Sequence, residues 1–247
     1  MIVIRSEEEI RDIRKAGEIL SRTLKKLRGC IHAGVQTREL DAIAREEIMK
    51  HGGYPAFKGY RGFPANICVS LNEAVVHGIP GDRKLKGGDL VSIDMGVRFR
   101  DYHADAAFTV AIAPVSETAG RLIDVTAKAL DIGIGNAVSG RRVSDISSSI
   151  QSYVESNGFS VVRALVGHGI GRELHEEPEI PNYGKPGTGP VLRCGMVLAI
   201  EPMVNAGGFE VEALEDGWTV VTKDRRLSAH FEHTIIVCDD KPEIITK

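Results

Sequence analysis

The chain has 247 residues, 43% of them hydrophobic, and sets 31 Lys and Arg against 34 Asp and Glu for a formal net charge of -3. That length and apolar content suffice for a continuous core, while the dispersal of basic residues among acidic ones excludes the clustered positive face that nucleic acid or an anionic membrane requires. No run reaches the roughly 18 to 20 apolar residues of a membrane span, MIVIRSEEEI lacks the apolar stretch of a secretory signal, and Cys30, Cys68, Cys194 and Cys238 form no C-x-x-C pair, so a cytoplasmic protein with free thiols and no membrane partner is expected.

Ser6 and Glu9 form an S-x-x-E capping box, after which Ile10, Ile13, Gly17, Leu20, Leu24 and Leu27 recur at helical steps and predict a first helix with one apolar stripe. Thr37 is placed to cap a second helix that runs to about Lys50, with Leu40, Ile43 and Ile48 inward and Gly52-Gly53 as its stop. Short apolar segments at Ile67 to Ser70, Leu90 to Val97 and Ala106 to Ala113, separated by Gly, Pro and Asp, read as strands. A second helix pair follows, from Ser116 to about Ile132 and from about Val143 to Ser156, with Ile146, Ile150, Tyr153 and Val154 as the later stripe and Asn157-Gly158 as its end. Strands return at Ser160 to Val166, Met196 to Val204, Trp218 to Thr222 and His230 to Val237. The order helix, helix, strands therefore occurs twice without a linker between, which predicts a single α+β domain over residues 1 to 247 built from two related halves.

Several apolar strand runs carry a group that ought not to be there. Asp94 in LVSIDMGVRFR and Asp105 in DYHADAAFTV flank a hairpin whose centre, set between Phe99 and Arg100, would put them directly opposite one another. Glu201 in MVLAIEPMV and Glu232 in HFEHTIIV interrupt β runs where an unpaired charge costs several kcal/mol by order of magnitude, and His168 stands at the mouth of VVRALVGHGIG. Four carboxylates and one imidazole brought together in a dry interior repel one another unless cations sit between them, and this oxygen-rich set suits Mn²⁺, Fe²⁺, Co²⁺ or Zn²⁺. Carboxylates can bridge two such ions about 3.5 Å apart or slightly more, as in dinuclear hydrolases.

The five positions, with NICVSLNEAVVHGIPG, SIDMG, HADAA, GHGIGRELHEEP, IEPMV and AHFEHT around them, resemble the type I methionine aminopeptidases over nearly the whole chain. The resemblance implies the pita-bread fold, two α/β halves related by a pseudo-twofold axis with a curved antiparallel sheet covered by helices. It also implies two divalent metal ions held by Asp94, Asp105, His168, Glu201 and Glu232, with Asp105 and Glu232 bridging both. In such an enzyme a metal-bound hydroxide attacks the scissile carbonyl, Glu201 is the general base, His175 hydrogen-bonds the oxyanion and His77 lies near the scissile nitrogen. The substrate would be the N-terminus of a nascent polypeptide, met transiently at the ribosome, with its initiator methionine held by Phe57, Tyr60, Phe63, Cys68, His77, Leu174, His175 and Trp218 and a small residue second. Members of this family are usually monomers. Some carry an aromatic residue where this chain has Leu174 and a smaller one where it has Phe57.

Competing chemistries find little support. Gly133, Gly135 and Gly140 do not make G-x-G-x-x-G, HEE at 175 to 177 is not H-E-x-x-H, G-x-S-x-G is absent, and Cys68 has no evident activating base. Dipeptidases and Xaa-Pro aminopeptidases of the same fold usually carry an additional N-terminal domain for which 247 residues leave no room.

Overall fold

A computed structural model describes residues 2–247. Helix α1 spans Glu7–Cys30, and its start is the expected reciprocal cap: Ser6 Oγ accepts from the Glu9 N–H at 3.4 Å while Glu9 Oε2 accepts from the Ser6 N–H at 2.8 Å. Ile10, Ile13, Leu20 and Leu27 are buried along one stripe, each worth roughly 1.5 to 3 kcal/mol of transfer free energy, and α1 lies across the long hairpin described below. Gly17 is required in that stripe because a Cβ there would collide with the Ile245 carbonyl.

Helix α2, Thr37–Lys50, starts as expected but is capped differently. Gln36 is the N-cap, paired with Glu39, whose Oε1 accepts from the Gln36 N–H at 3.2 Å. The Thr37 hydroxyl is already committed, accepting from the Gly81 N–H at 2.8 Å, and so anchors the helix to a loop instead of capping it. Strands β1 (Tyr54–Pro55), β2 (Cys68–Leu71), β3 (Ala74–Val76), β4 (Leu90–Phe99) and β5 (Tyr102–Ala111) complete the first half. Here β4 pairs with β1, β2 and β5, all antiparallel.

The second half opens with α3 (Glu117–Gly135), capped by Ser116, and α4 (Val143–Ser156), ended at Asn157. Strands β6 (Ser160–Val161), β7 (Val166–Gly169), β8 (Glu176–Pro181), β9 (Val197–Ile200), β10 (Met203–Asn205), β11 (Val211–Ala213), β12 (Val220–Thr222), β13 (Ser228–His230), β14 (His233–Ile236) and β15 (Glu243–Ile244) follow. The main sheet of this half runs β15-β14-β9-β7-β8, and smaller sheets β13-β10-β6 and β11-β12-β3 flank it. Each half has its own apolar core, one between α1, α2 and the β4–β5 hairpin and one between α3, α4 and strands β9 and β14. This is the α+β arrangement of two helix-covered antiparallel halves that the sequence predicts.

Three strand expectations are corrected, and two of the corrections fall on the functional residues. The runs Met196 to Val204 and His230 to Val237 are each broken, at Glu201-Pro202 and at Phe231-Glu232, so both glutamates stand in gaps between short strands and not within a ladder. Proline at 202 has no N–H to give, which forces the first break. The run from Ser160 leaves its sheet after Val161 and becomes extended again only at Val166.

The halves are joined at their centre. The Thr234 hydroxyl donates to the Asp105 carbonyl at 2.7 Å and accepts from the Asp105 N–H at 2.9 Å. Beside it the Glu232 N–H donates to the Ala107 carbonyl at 2.9 Å.

Candidate metal centre and adjoining cavity

The β4–β5 hairpin turns at Arg100-Asp101 and not between Phe99 and Arg100, so Asp94 pairs with Ala107 and Asp105 with Gly96. The expectation that the aspartates are directly opposed is therefore incorrect. Moving the turn by one residue shifts the register by two, which preserves side-chain parity, and both carboxylates still project from the same face as a diagonal pair. The face is confirmed by Ser92 and Thr109, whose hydroxyls lie 2.8 Å apart across the same ladder.

Asp94, Asp105, His168, Glu201 and Glu232 all line one cavity of about 160 Å³. Ligand atoms of Asp105, His168 and Glu232 lie within 4.8 Å of one another, and Glu201 Oε1 is 3.5 Å from His168 Nε2. Asp94 Oδ1, Asp105 Oδ1 and Glu232 Oε1 are buried with no hydrogen-bond partner. Such oxygens cost on the order of 1 to 3 kcal/mol each when left unpaired, and here they converge. Burial and then mutual charge push Asp94, Glu201 and Glu232 well above the carboxylate range, and burial raises Asp105 to about 7. Divalent cations would reverse that direction and satisfy the orphaned oxygens together.

The histidine is prepared for the same role. His168 Nδ1 lies 2.9 Å from the Gly169 carbonyl, and because a carbonyl can only accept, the ring proton sits on Nδ1 and Nε2 presents a lone pair to the carboxylates. Burial lowers its pKa to about 4, which keeps it neutral. Glycines on either side are obligatory: a Cβ at Gly167 would meet the Ala199 carbonyl at 2.5 Å, and one at Gly169 would collide with Glu177. The donor set, its orphaned oxygens and its tautomer thus fit divalent metal.

Next to the ligands the cavity becomes apolar. Phe57, Tyr60, Phe63, Cys68, Leu174 and Trp218 line it, as do His77 and His175. Phe63 packs edge-on against Trp218 at 5.1 Å and against Phe57 at 6.4 Å. Cys68 pairs with Asp94 across β2 and β4, and burial raises its thiol, so it serves as a small apolar wall and not a nucleophile. The His175 ring packs at a tilt against His168, centroids 4.3 Å apart and planes inclined by 53°, and its Nδ1 is hydrogen-bonded to the Tyr60 hydroxyl at 2.7 Å. Although one side of His175 faces solvent, burial of its ring and then the neighbouring His168 lower its pKa to about 3. His77 holds a left-handed backbone, φ 58°, and burial lowers its pKa. A non-glycine residue in that region stores strain, which persists where surrounding packing imposes it.

The sequence reading brought every one of these residues to the site and overlooked two others. Arg61, also with a left-handed backbone at φ 48°, stands at the cavity rim. His230 is fully buried, both ring nitrogens lack partners, and its Nε2 faces Glu201 Oε2 at 3.5 Å. Its position two residues before Glu232, in the same AHFEHT run, was the available signal.

Comparison with known proteins agrees with this geometry. Residues 11–239 match the family model described as metallopeptidase family M24. The chain is 54% identical to the methionine aminopeptidase of Clostridium perfringens over all of this chain and 99% of that one, and 50% identical to methionine aminopeptidase 1 of Bacillus subtilis over the whole of both. The crystal structure of methionine aminopeptidase from Thermotoga maritima superposes with a TM-score of 0.98 at 46% identity, covering all of both chains. The prolidase of Pyrococcus furiosus, 24% identical, shares the fold with a TM-score of 0.80 over 99% of this chain and 65% of that one.

Proposed function

The chain belongs to metallopeptidase family M24 and within it to the methionine aminopeptidases, and from that premise we propose that it removes the initiator methionine from nascent polypeptides whose second residue is small. The observation that carries this reading is the joining of a metal-fitting carboxylate cluster to an apolar slot in one cavity, so that a bound N-terminal side chain would place its own carbonyl at the ligands. A thioether suits that slot, since sulfur packs well on aromatic faces and beside the Cys68 thiol.

Asp94, Asp105, His168, Glu201 and Glu232 would hold two divalent ions, which when bound supply Lewis acidity toward the carbonyl and a water of lowered pKa. Glu201, whose side chain lines the cavity, would be the group to accept a proton there as general base. His175 Nδ1 is hydrogen-bonded to the Tyr60 hydroxyl at 2.7 Å; with Tyr60 as the donor the ring proton would lie on Nε2 and serve to stabilise the oxyanion. His77, neutral and strained, stands to hydrogen-bond the scissile nitrogen. All ligands come from one chain, which supports a single catalytic domain acting as a monomer. The absence of any described helix long and apolar enough to cross a membrane accords with a cytoplasmic site of action at the ribosome.

The test is cleavage of Met-Ala-Ser, Met-Lys-Ser and a Xaa-Pro peptide by metal-stripped protein with Mn²⁺, Fe²⁺, Co²⁺ or Zn²⁺ restored. Methionine is expected from Met-Ala-Ser alone, and only with metal. Metal-independent release would remove the mechanism, and cleavage of the Xaa-Pro peptide would reassign the substrate.

A further inference from the structure

The segment Gly171–Glu176 carries Leu174 and His175 into the cavity, and a side chain from the N-terminal arm holds it in place. Arg5 is buried, 7% exposed, in an ion pair with Glu176, and its other terminal nitrogen lies 3.5 Å from Glu9 Oε1. The second oxygen of Glu176 accepts from the Glu173 N–H at 3.0 Å, so one carboxylate closes the loop and fastens it to Arg5. The guanidinium covers Gly171, where any Cβ would collide with it. Gly171 is pinned in turn, its N–H donating to the Glu173 carbonyl at 3.1 Å and its own carbonyl accepting from the His103 N–H at 2.8 Å. Arg5 cannot drift with the loop. Its N–H donates to the Gly195 carbonyl at 2.9 Å, and Glu9 is held by the Ser6 N–H and by the Tyr102 hydroxyl at 2.9 Å. The residues matched by the family model begin at 11, beyond this arm.

We propose that Arg5, acting through Glu176, is a positioning residue for His175. The proposal rests on the reading of His175 as the oxyanion donor. A buried guanidinium–carboxylate pair adds little net stability once its desolvation is counted, whereas its fixed fork sets geometry closely. Glu176 is the residue after His175, so the placement of its carboxylate fixes the backbone from which the imidazole reaches the substrate. A displacement of about 1 Å at a reacting centre costs on the order of a hundredfold in rate.

The experiment is a kinetic cycle on the full-length, Mn²⁺-loaded enzyme with a methionyl tripeptide, comparing Arg5→Ala, His175→Ala and the double variant. Arg5→Ala should lower kcat roughly ten- to a hundredfold while KM moves by less than about twofold. Arg5→Lys, which keeps the charge without the fork, should restore part of that loss. The double variant should be no slower than His175→Ala alone, because a group that acts only through His175 has nothing further to remove. Should Arg5→Ala fail to fold, Glu176→Gln, which keeps the side-chain shape and removes the ion pair, takes its place in the same cycle. Additive losses in the double variant overturn the proposal, as does unchanged kcat in the single variants of the pair. Wild-type kcat in His175→Ala removes instead the oxyanion role itself, and is read from that variant without reference to Arg5.

Discussion

Gly96 sits opposite Asp105 and forms the floor between Phe57 and Leu174: a Cβ there would meet Phe57 Cε1 at 2.9 Å, Ala56 Cβ at 3.0 Å and Leu174 Cδ1 at 3.3 Å. Phe57 and Leu174 are therefore neighbours across one glycine, with the larger aromatic side chain on one side and the smaller aliphatic one on the other. Gly96→Ala is expected to raise KM for methionyl peptides severalfold, with an overpacking cost of about 1 to 3 kcal/mol, and Phe57→Leu in the same chain should recover much of the KM. Tripeptide kinetics beside thermal melts would check both. At the ligands, Asp105→Asn should abolish turnover and lower metal stoichiometry by calorimetry while circular dichroism stays near wild type, since the amide cannot supply the charge that holds a cation. His175→Ala should lower kcat more than it raises KM, and a pure KM effect would reassign His175 to docking. The carboxylate ligands were legible because several charged groups interrupt apolar runs in one chain, whereas His175 and the slot residues came only from the family resemblance. His230 was not, because a lone histidine in a strand is ordinarily a satisfied core residue and only the fold reveals that both its nitrogens lack partners.

Secondary-structure elements with a local chemical signal were readable, and those set by long-range pairing were less so. The Ser6–Glu9 cap, Ser116 and Asn157 all stand where spacing put them. The turn at Arg100-Asp101 contains neither Gly nor Asn, yet Arg100 adopts φ 53°, so nothing local indicated which residue would bend. The breaks at Glu201 and Phe231-Glu232 were hidden because apolar residues continue on both sides of them. The α1 cap also has a measurable acid response. The Ser6 backbone N–H, followed by smaller hydrogen-bond contributions from Tyr102 and Ser6, holds the Glu9 carboxyl down to about 2 from an ordinary 4.5. A carboxylate depressed in the folded state contributes stability that is present above its unfolded value and is lost as pH falls from about 4.5 through about 2. Glu9→Gln should therefore flatten the fall in melting temperature across that interval and lower stability at neutral pH. An unchanged acid limb would show that other carboxylates govern it.

Across the whole molecule, each half keeps its own core while neither holds a complete centre: Asp94 and Asp105 come from β4 and β5, and His168, Glu201 and Glu232 from the second half. Metal that binds this assembled set and not the unfolded chain must stabilise the fold by mass action, by about 2.7 kcal/mol at a hundred times Kd. Melting temperature should thus climb with Mn²⁺ concentration and fall on chelation, and Asp105→Asn should lose most of the climb. The bond between Thr234 and Asp105 closes a loop of 129 residues. Contacts of such separation form late, because the entropy of closing the loop precedes any reward. A refolding chain should accordingly regain turnover in step with its slowest structural phase, with no active precursor, and a ribosome would release a competent molecule only after the strand carrying Thr234 has cleared the exit tunnel and docked.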